Sequence, residues 1–210
     1  SPSQELSPHQ PVRSLSTSPT KAPPMENVRT PTILELIGEF SIGGAERIVV
    51  SLTNKLREGG WPVLVSARHG GPLAAHLVDS DCLYLLGKGR TIDVRYLSSL
   101  VSLIRRRNVD IIHSHLFGND LYGFLAAKLT GTKIVQTIHG MDSLATRRRI
   151  VAYNLMAPFV DTVVTVAQSL AREFKRVVAI PKDRICTIAN GVDLERYGPR
   201  GDGKRHMETS

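Results

Sequence analysis

Three histidines in the middle of the chain, His113, His115 and His139, are the residues best suited to proton chemistry. His113 and His115 lie in DIIHSH and His139 in QTIHG, each at the end of a β-branched run. Residues two apart in a strand project to the same side, so His113 and His115 share a face, and three histidines at neighbouring strand ends can converge on one cleft. A second feature is Gly43-Gly44, which opens directly into a helix carrying Glu46 and Arg47 in its first turn. Adjacent glycines let the backbone approach a phosphate closely, and the free amides and dipole of a helix start favour negative charge there. Both features also have an ordinary structural explanation: a tight strand-to-helix turn needs glycine for its own shape, and a histidine at a strand end is more often a hydrogen-bonding residue. Asn190-Gly191 followed by Asp193 is, by itself, a turn signal.

The same residues exclude several chemistries. No Asp, Glu or Cys stands at helical metal-ligand spacing beside the histidines, so no metal site is expected. No G-x-S-x-G elbow is present, which argues against a Ser-His-Asp hydrolase. The loop GEFSIGGAER departs from G-x-G-x-x-G, which disfavours a nicotinamide cofactor. Cys82 and Cys186 are too far apart for a zinc ribbon or a disulfide framework, and a reducing compartment is the simplest reading.

Positioning these residues requires a sheet. Short β-branched runs at 32–37, 62–66, 83–86, 110–114, 133–138, 162–166 and 185–188 alternate with helical periodicities, the pattern of an α/β fold with a doubly wound parallel sheet of about seven strands. In such a sheet the ligand crevice lies outside the carboxyl ends of the strands, which is where the glycine pair and the histidines fall. One helix puts Ala45, Ile48, Val49, Leu52 and Leu56 on one face and ends at Gly59-Gly60, suited to a left-handed cap. Another buries Leu97, Leu100, Val101 and Ile104 and ends in Arg105 to Arg107, cations at the favourable end of the helix dipole. Two more are expected over 119–130 and 144–157.

The chain has 210 residues, room for one α/β domain with tails, and no apolar run approaches the ~20 residues of a membrane-spanning helix. The first 24 residues hold six Ser and six Pro, too few apolar groups to offset the entropy of ordering, so residues 1–30 are expected to be a disordered tail and 199–210 a flexible tail or the start of a linker. Met25 reads as a natural amino terminus, with residues 1–24 as an upstream extension. The net charge is +8, of which the body between the tails keeps +6, favouring anionic partners. Nucleic acid is not among the expected ones, because the basic residues lack interleaved aromatics.

In this order and at these strand ends, GGAER, DIIHSH, QTIHG and NGVDLERY resemble the amino-terminal domain of family 4 glycosyltransferases over residues 31–198. The resemblance implies the Rossmann-like amino-terminal half of a GT-B fold, which chiefly holds the acceptor, facing a second domain that holds most of the nucleotide-sugar donor. It implies that Gly43 and Gly44 face the donor diphosphate or an acceptor phosphate, that His139 contacts the donor sugar near the reacting carbon as the catalytic residue, and that His113, His115, Glu46 and Arg47 line the acceptor side. Asn190 and Asp193 match the segment where the chain leaves the first domain. It also implies a retaining, metal-independent transfer of a hexosyl group to a polysaccharide or lipid-linked acceptor, with no cofactor.

The family's second domain carries two glutamates spaced E-x7-E, and no two glutamates here stand eight apart. The donor-binding half is therefore expected in cis or in trans, and the chain alone is expected to transfer no sugar. The competing readings are a non-catalytic binding or partner subunit and half of a sugar-nucleotide epimerase. Arg147, Arg148 and Arg149 precede Ile150, Val151, Tyr153, Leu155 and Met156, so an anionic membrane surface is a further expected partner, and the cytoplasm, at the inner face of a membrane, the expected place of action.

Overall fold

A computed structural model describes residues 29–87 and 93–191. Seven parallel strands form one sheet in the order β3-β2-β1-β4-β5-β6-β7. They are β1 (Ile33–Glu39), β2 (Val63–His69), β3 (Leu83–Leu85), β4 (Ile111–His115), β5 (Lys133–Ile138), β6 (Thr162–Thr165) and β7 (Ile185–Thr187). The order reverses between β1 and β4, the place where the loops of an open parallel sheet part to leave a crevice. The glycine pair follows β1 and His113 and His115 end β4, so both flank that switch point.

Period-2 alternation divides the strands between two cores. Leu34 and Leu36 point to one face and pack with Ile112, Ile134, Val163 and the helices α2 (Val94–Arg106), α3 (Phe117–Thr130), α4 (Arg147–Met156) and α5 (Gln168–Val177). Ile37 points to the other and packs with Val65, Ala67 and Val49 of α1 (Gly44–Glu58). Glu35 shares that second face, where only apolar residues would be expected of a central strand.

The helix ends follow the sequence. Gly60 takes φ +83° just beyond α1, and Gly131 takes φ +74° beyond α3, as left-handed caps require. Asp93 caps α2 by accepting from the Tyr96 amide at 3.0 Å, and Thr146 caps α4 by accepting from the Arg149 amide. The expected helix over 144–157 is divided: a 3-10 turn covers Met141–Leu144, α4 begins after Thr146, and a second 3-10 turn follows it. Helix α5 was not anticipated, although Leu170, Ala171, Phe174 and Val177 recur at helical spacing on an otherwise polar segment. The expected tails up to residue 28 and over 199–210, and Asp193, lie outside the described residues, while Arg29, at the end of the expected first tail, pairs with Asp110.

Candidate functional site

The loop after β1 is shaped by close approach. Gly43 is the extended N-cap of α1, and a Cβ there would lie 2.2 Å from Oε2 of Glu46, whose side chain folds back over it. Glu46 is buried and accepts from Ser41 Oγ at 3.5 Å, an acidic group in the first turn where the helix dipole favours it. Open space surrounds Gly44, and Arg47 is exposed. The loop is seated on Gly71, where a Cβ would lie 2.3 Å from the carbonyl oxygen of Phe40, and the Leu73 amide donates to that carbonyl at 3.1 Å. Gly71 is a positioning residue that the sequence did not reveal, since its reason is a contact 31 residues away.

At the end of β4 the three histidines converge, and they do so around a carboxylate. Register pairs Glu35 with His113 and His115 with Thr137, which puts all four side chains on one face. Glu35 Oε2 lies 3.0 Å from Nδ1 of His113 and 2.7 Å from Nε2 of His115. His115 Nδ1 lies 2.9 Å from Nε2 of His139, and His113 Nε2 lies 2.7 Å from Oγ1 of Thr137. Glu35 and His115 are essentially inaccessible, whereas His139 reaches the surface. Glu35 was also missed, although a single carboxylate in the strand TILELI was a visible signal.

Burial sets the charge states. It would push the Glu35 carboxyl up, but the charge and hydrogen bond of His113 and the bond from His115 outweigh it and hold the group at about 2. Burial and the neighbouring His113 lower His115 to about 4; burial and the other two histidines lower His139 to about 4. His113, though desolvated, is raised by Glu35. The cluster at neutral pH thus holds a Glu35 carboxylate and two neutral imidazoles, His115 and His139, with His113 the ring that the carboxylate favours in its charged form.

Glu35, His113 and His115 bring donor atoms together as a cation site would. Their separations are hydrogen-bond lengths, however, and tetrahedral zinc with bonds of 2.0–2.1 Å needs donors about 3.3 Å apart. As arranged, the three groups bind each other.

On the opposite face, Ser114 Oγ donates to Asp120 at 2.7 Å and the Tyr153 hydroxyl donates to it at 2.6 Å, all three buried. Burial pushes Asp120 up to about 7, and burial together with Asp120 raises Tyr153. This network ties β4, α3 and α4 together behind the histidines.

His139, Gly140 and Met141 form one wall of an open cleft of about 420 Å³ whose other wall is the start of α5, with Ser169 and Glu173. A larger concavity of about 520 Å³ opens at the amino-terminal edge beside Arg29, Asp110 and Lys133, away from the histidines. Asn190 is exposed just beyond β7.

Residues 42–196 match Glycosyltransferase Family 4. The UDP-Gal:alpha-D-GlcNAc-diphosphoundecaprenol alpha-1,3-galactosyltransferase of Escherichia coli is 28% identical over 181 residues, covering 79% of this chain and 47% of that protein. Among solved structures, Anabaena HepE in complex with UDP and glucose superposes with a TM-score of 0.67 at 19% identity, over 79% of this chain and 46% of that one. Sucrose-phosphate synthase from Thermosynechococcus elongatus superposes with a TM-score of 0.62 at 16% identity, over 79% and 49%. The chain spans about half the length of these relatives. By a match that covers six of the seven strands, the glycine pair and all three histidines, the chain belongs to Glycosyltransferase Family 4.

Proposed function

We propose that this chain is the acceptor-side domain of a retaining glycosyltransferase that moves a hexosyl group from a nucleotide sugar to a polysaccharide or lipid-linked acceptor. The observation that carries the reading is the placing of His139, backed by His115, in a cleft at the same strand edge as the Gly43-Gly44 loop, within the family match. In this reading the Gly43-Gly44 loop faces a diphosphate or acceptor phosphate, with Gly44 offering its backbone amide while that of Gly43 is held by the Ser41 carbonyl at 3.0 Å; His139 contacts the sugar, and Glu46, Arg47, His113 and His115 shape the acceptor side. Amides aimed at a leaving diphosphate act electrostatically, the kind of contact that contributes several kcal/mol to catalysis. The transfer needs no metal. The similarity to a galactosyltransferase acting on a diphosphoundecaprenol-linked sugar supports a UDP-sugar donor and a lipid-linked acceptor.

The donor-binding half is supplied by other sequence, in cis or in trans, in keeping with the half-length coverage of the relatives. Sugar transfer from UDP-hexoses to lipid diphosphate-linked sugars tests this. The native polypeptide carrying the domain is expected to transfer with retained anomeric configuration, and the 210-residue chain alone to transfer nothing; turnover by the chain alone, or inversion, contradicts the reading.

An anionic membrane face is proposed as a partner on a specific surface. Tyr153 and Met156 of α4 are core residues, not surface ones, and Arg149 is engaged with the Asp142 carbonyl and the Phe117 ring. Val151 and Leu155 are exposed, as are Leu121, Leu125 and Leu129 along α3 and Phe159, which Lys128 overlies at 4.3 Å. Exposed Arg147 and Arg148 flank this strip, the combination that holds a protein on an anionic leaflet. Among the described residues no helix is long and apolar enough to cross a membrane. Co-sedimentation with phosphatidylglycerol vesicles at low salt, reduced at high salt, is expected; no binding at low salt removes the proposal.

A further inference from the structure

A carboxylate has no proton to give, so each histidine that touches Glu35 must donate to it: His115 through Nε2 at 2.7 Å and His113 through Nδ1 at 3.0 Å. A neutral imidazole carries one N–H. With that of His115 directed at Glu35, its Nδ1 has only a lone pair to offer. Nε2 of His139 lies 2.9 Å away, so His139 supplies the proton of that bond. Its own single N–H is then engaged and its Nδ1 is a bare acceptor, to which nothing bonds among the described residues. Both rings are held neutral at pH 7 chiefly by burial, which lowers each to about 4. Glu173 lines the same cleft and lies outside this chain of bonds.

Resting on the transferase reading above, we propose that Glu35 and His115 are positioning residues that lock His139 into its Nε2–H tautomer, so that its Nδ1 accepts a hydrogen bond from a sugar hydroxyl and turns away a phosphate oxygen. A hydroxyl can donate to a bare nitrogen. A diphosphate oxygen has no proton to donate, and its charge meets a lone pair rather than an N–H. The anionic part of a nucleotide sugar is thereby directed away from His139 and toward the loop after β1, so the carboxyl edge of the sheet sorts the two chemical halves of its substrate.

The direct test is a long-range 1H–15N correlation spectrum of the 15N-histidine-labelled chain at pH 7, with His139 assigned by its loss in His139→Asn. The expected result is a single neutral tautomer protonated at Nε2. Protonation at Nδ1, a charged ring, or an even mixture of tautomers in the wild type would overturn the proposal. In Glu35→Gln the amide can donate to His115, which flips both rings in turn, so His139 is expected to populate the Nδ1–H form. An unchanged His139 in a folded Glu35→Gln protein also counts against it, and the wild-type spectrum decides alone if that variant does not fold. Sugar transfer by the native polypeptide separates the two levels of inference. The other tautomer with intact transfer removes this proposal and leaves the transferase reading; the locked tautomer without transfer removes the hydroxyl assignment together with that reading.

Discussion

A buried carboxylate flanked by two histidines makes the chemistry of this site depend on protons that move in opposite directions on folding. Glu35, His115 and His139 all have folded pKa values below their unfolded ones, so the stability they contribute is present at neutral pH. It is lost as pH falls from about 6.5 to about 4 for the two histidines, and from about 4.5 to about 2 for Glu35. Asp120 has the opposite sign: raised from 3.8 to about 7, it stabilises at low pH and loses that contribution as pH rises through this window. The two trends oppose each other between pH 4 and 6.5 in the wild type. Asp120→Asn removes one of them, so its stability in urea melts is expected to fall more steeply than that of the wild type between pH 6.5 and 4.5. Equal slopes would show that Asp120 is already ionised in the folded chain. At this scale the sequence was partly readable. His113, His115 and His139 were visible because each follows an apolar run, but Asp120 was hidden, since its partners Ser114 and Tyr153 come from a strand and a distant helix.

The turn from β4 into α3 is the element on which the site depends, and it holds Leu116 at φ +69° and ψ 143°, outside the usual range for a residue with a Cβ. The chain is pinned on both sides of it: the Asn119 side chain donates to the His115 carbonyl at 2.6 Å, and the amides of Asn119 and Asp120 donate to the Leu116 carbonyl. This turn ends the strand with the His115 side chain aimed at Glu35. Leu116→Gly is therefore expected to stay within about 1 kcal/mol of wild type, because relief of strain offsets the added chain entropy. Leu116→Val, branched at Cβ, is expected to lose about 1 kcal/mol or more. Urea unfolding of both variants checks the difference, and equal losses would mean that the turn is unstrained. The strands and four helices were legible because alternation and 3.6-residue periodicity are local. Helix α5 carries the same signal in Leu170, Ala171, Phe174 and Val177, but it is short and otherwise polar, and its formation depends on packing against β6 and β7. The strain at Leu116 has no composition signature, since leucine is an ordinary residue there by every local measure.

Over the whole molecule the two sheet faces differ. The face carrying Ile112, Ser114, Ile134 and Val163 is buried under α2 to α5, whereas His113, Val135, Thr162 and Val164 on the other are only half-buried, and Cys186 is exposed. Parallel sheets are usually covered on both faces, and among the described residues α1 packs chiefly over β1 and β2. Cys186 is accordingly expected to react with a thiol reagent in the folded 210-residue chain. Cys82, buried and with its thiol pushed up by burial, is expected to react only on unfolding. Protection of both would show that this face is covered. The doubly wound fold was read correctly from strand spacing, while the openness of one face depends on what lies beside the sheet and leaves no pattern in the sequence. The measurement that tests the central claim most directly is the rate of sugar transfer by the native polypeptide carrying His139→Ala. His139 lies at the surface of the cleft, so the variant should fold normally and transfer at least about 100-fold more slowly. An unchanged rate in the folded variant would contradict the assignment of this cleft as the place where sugar is transferred.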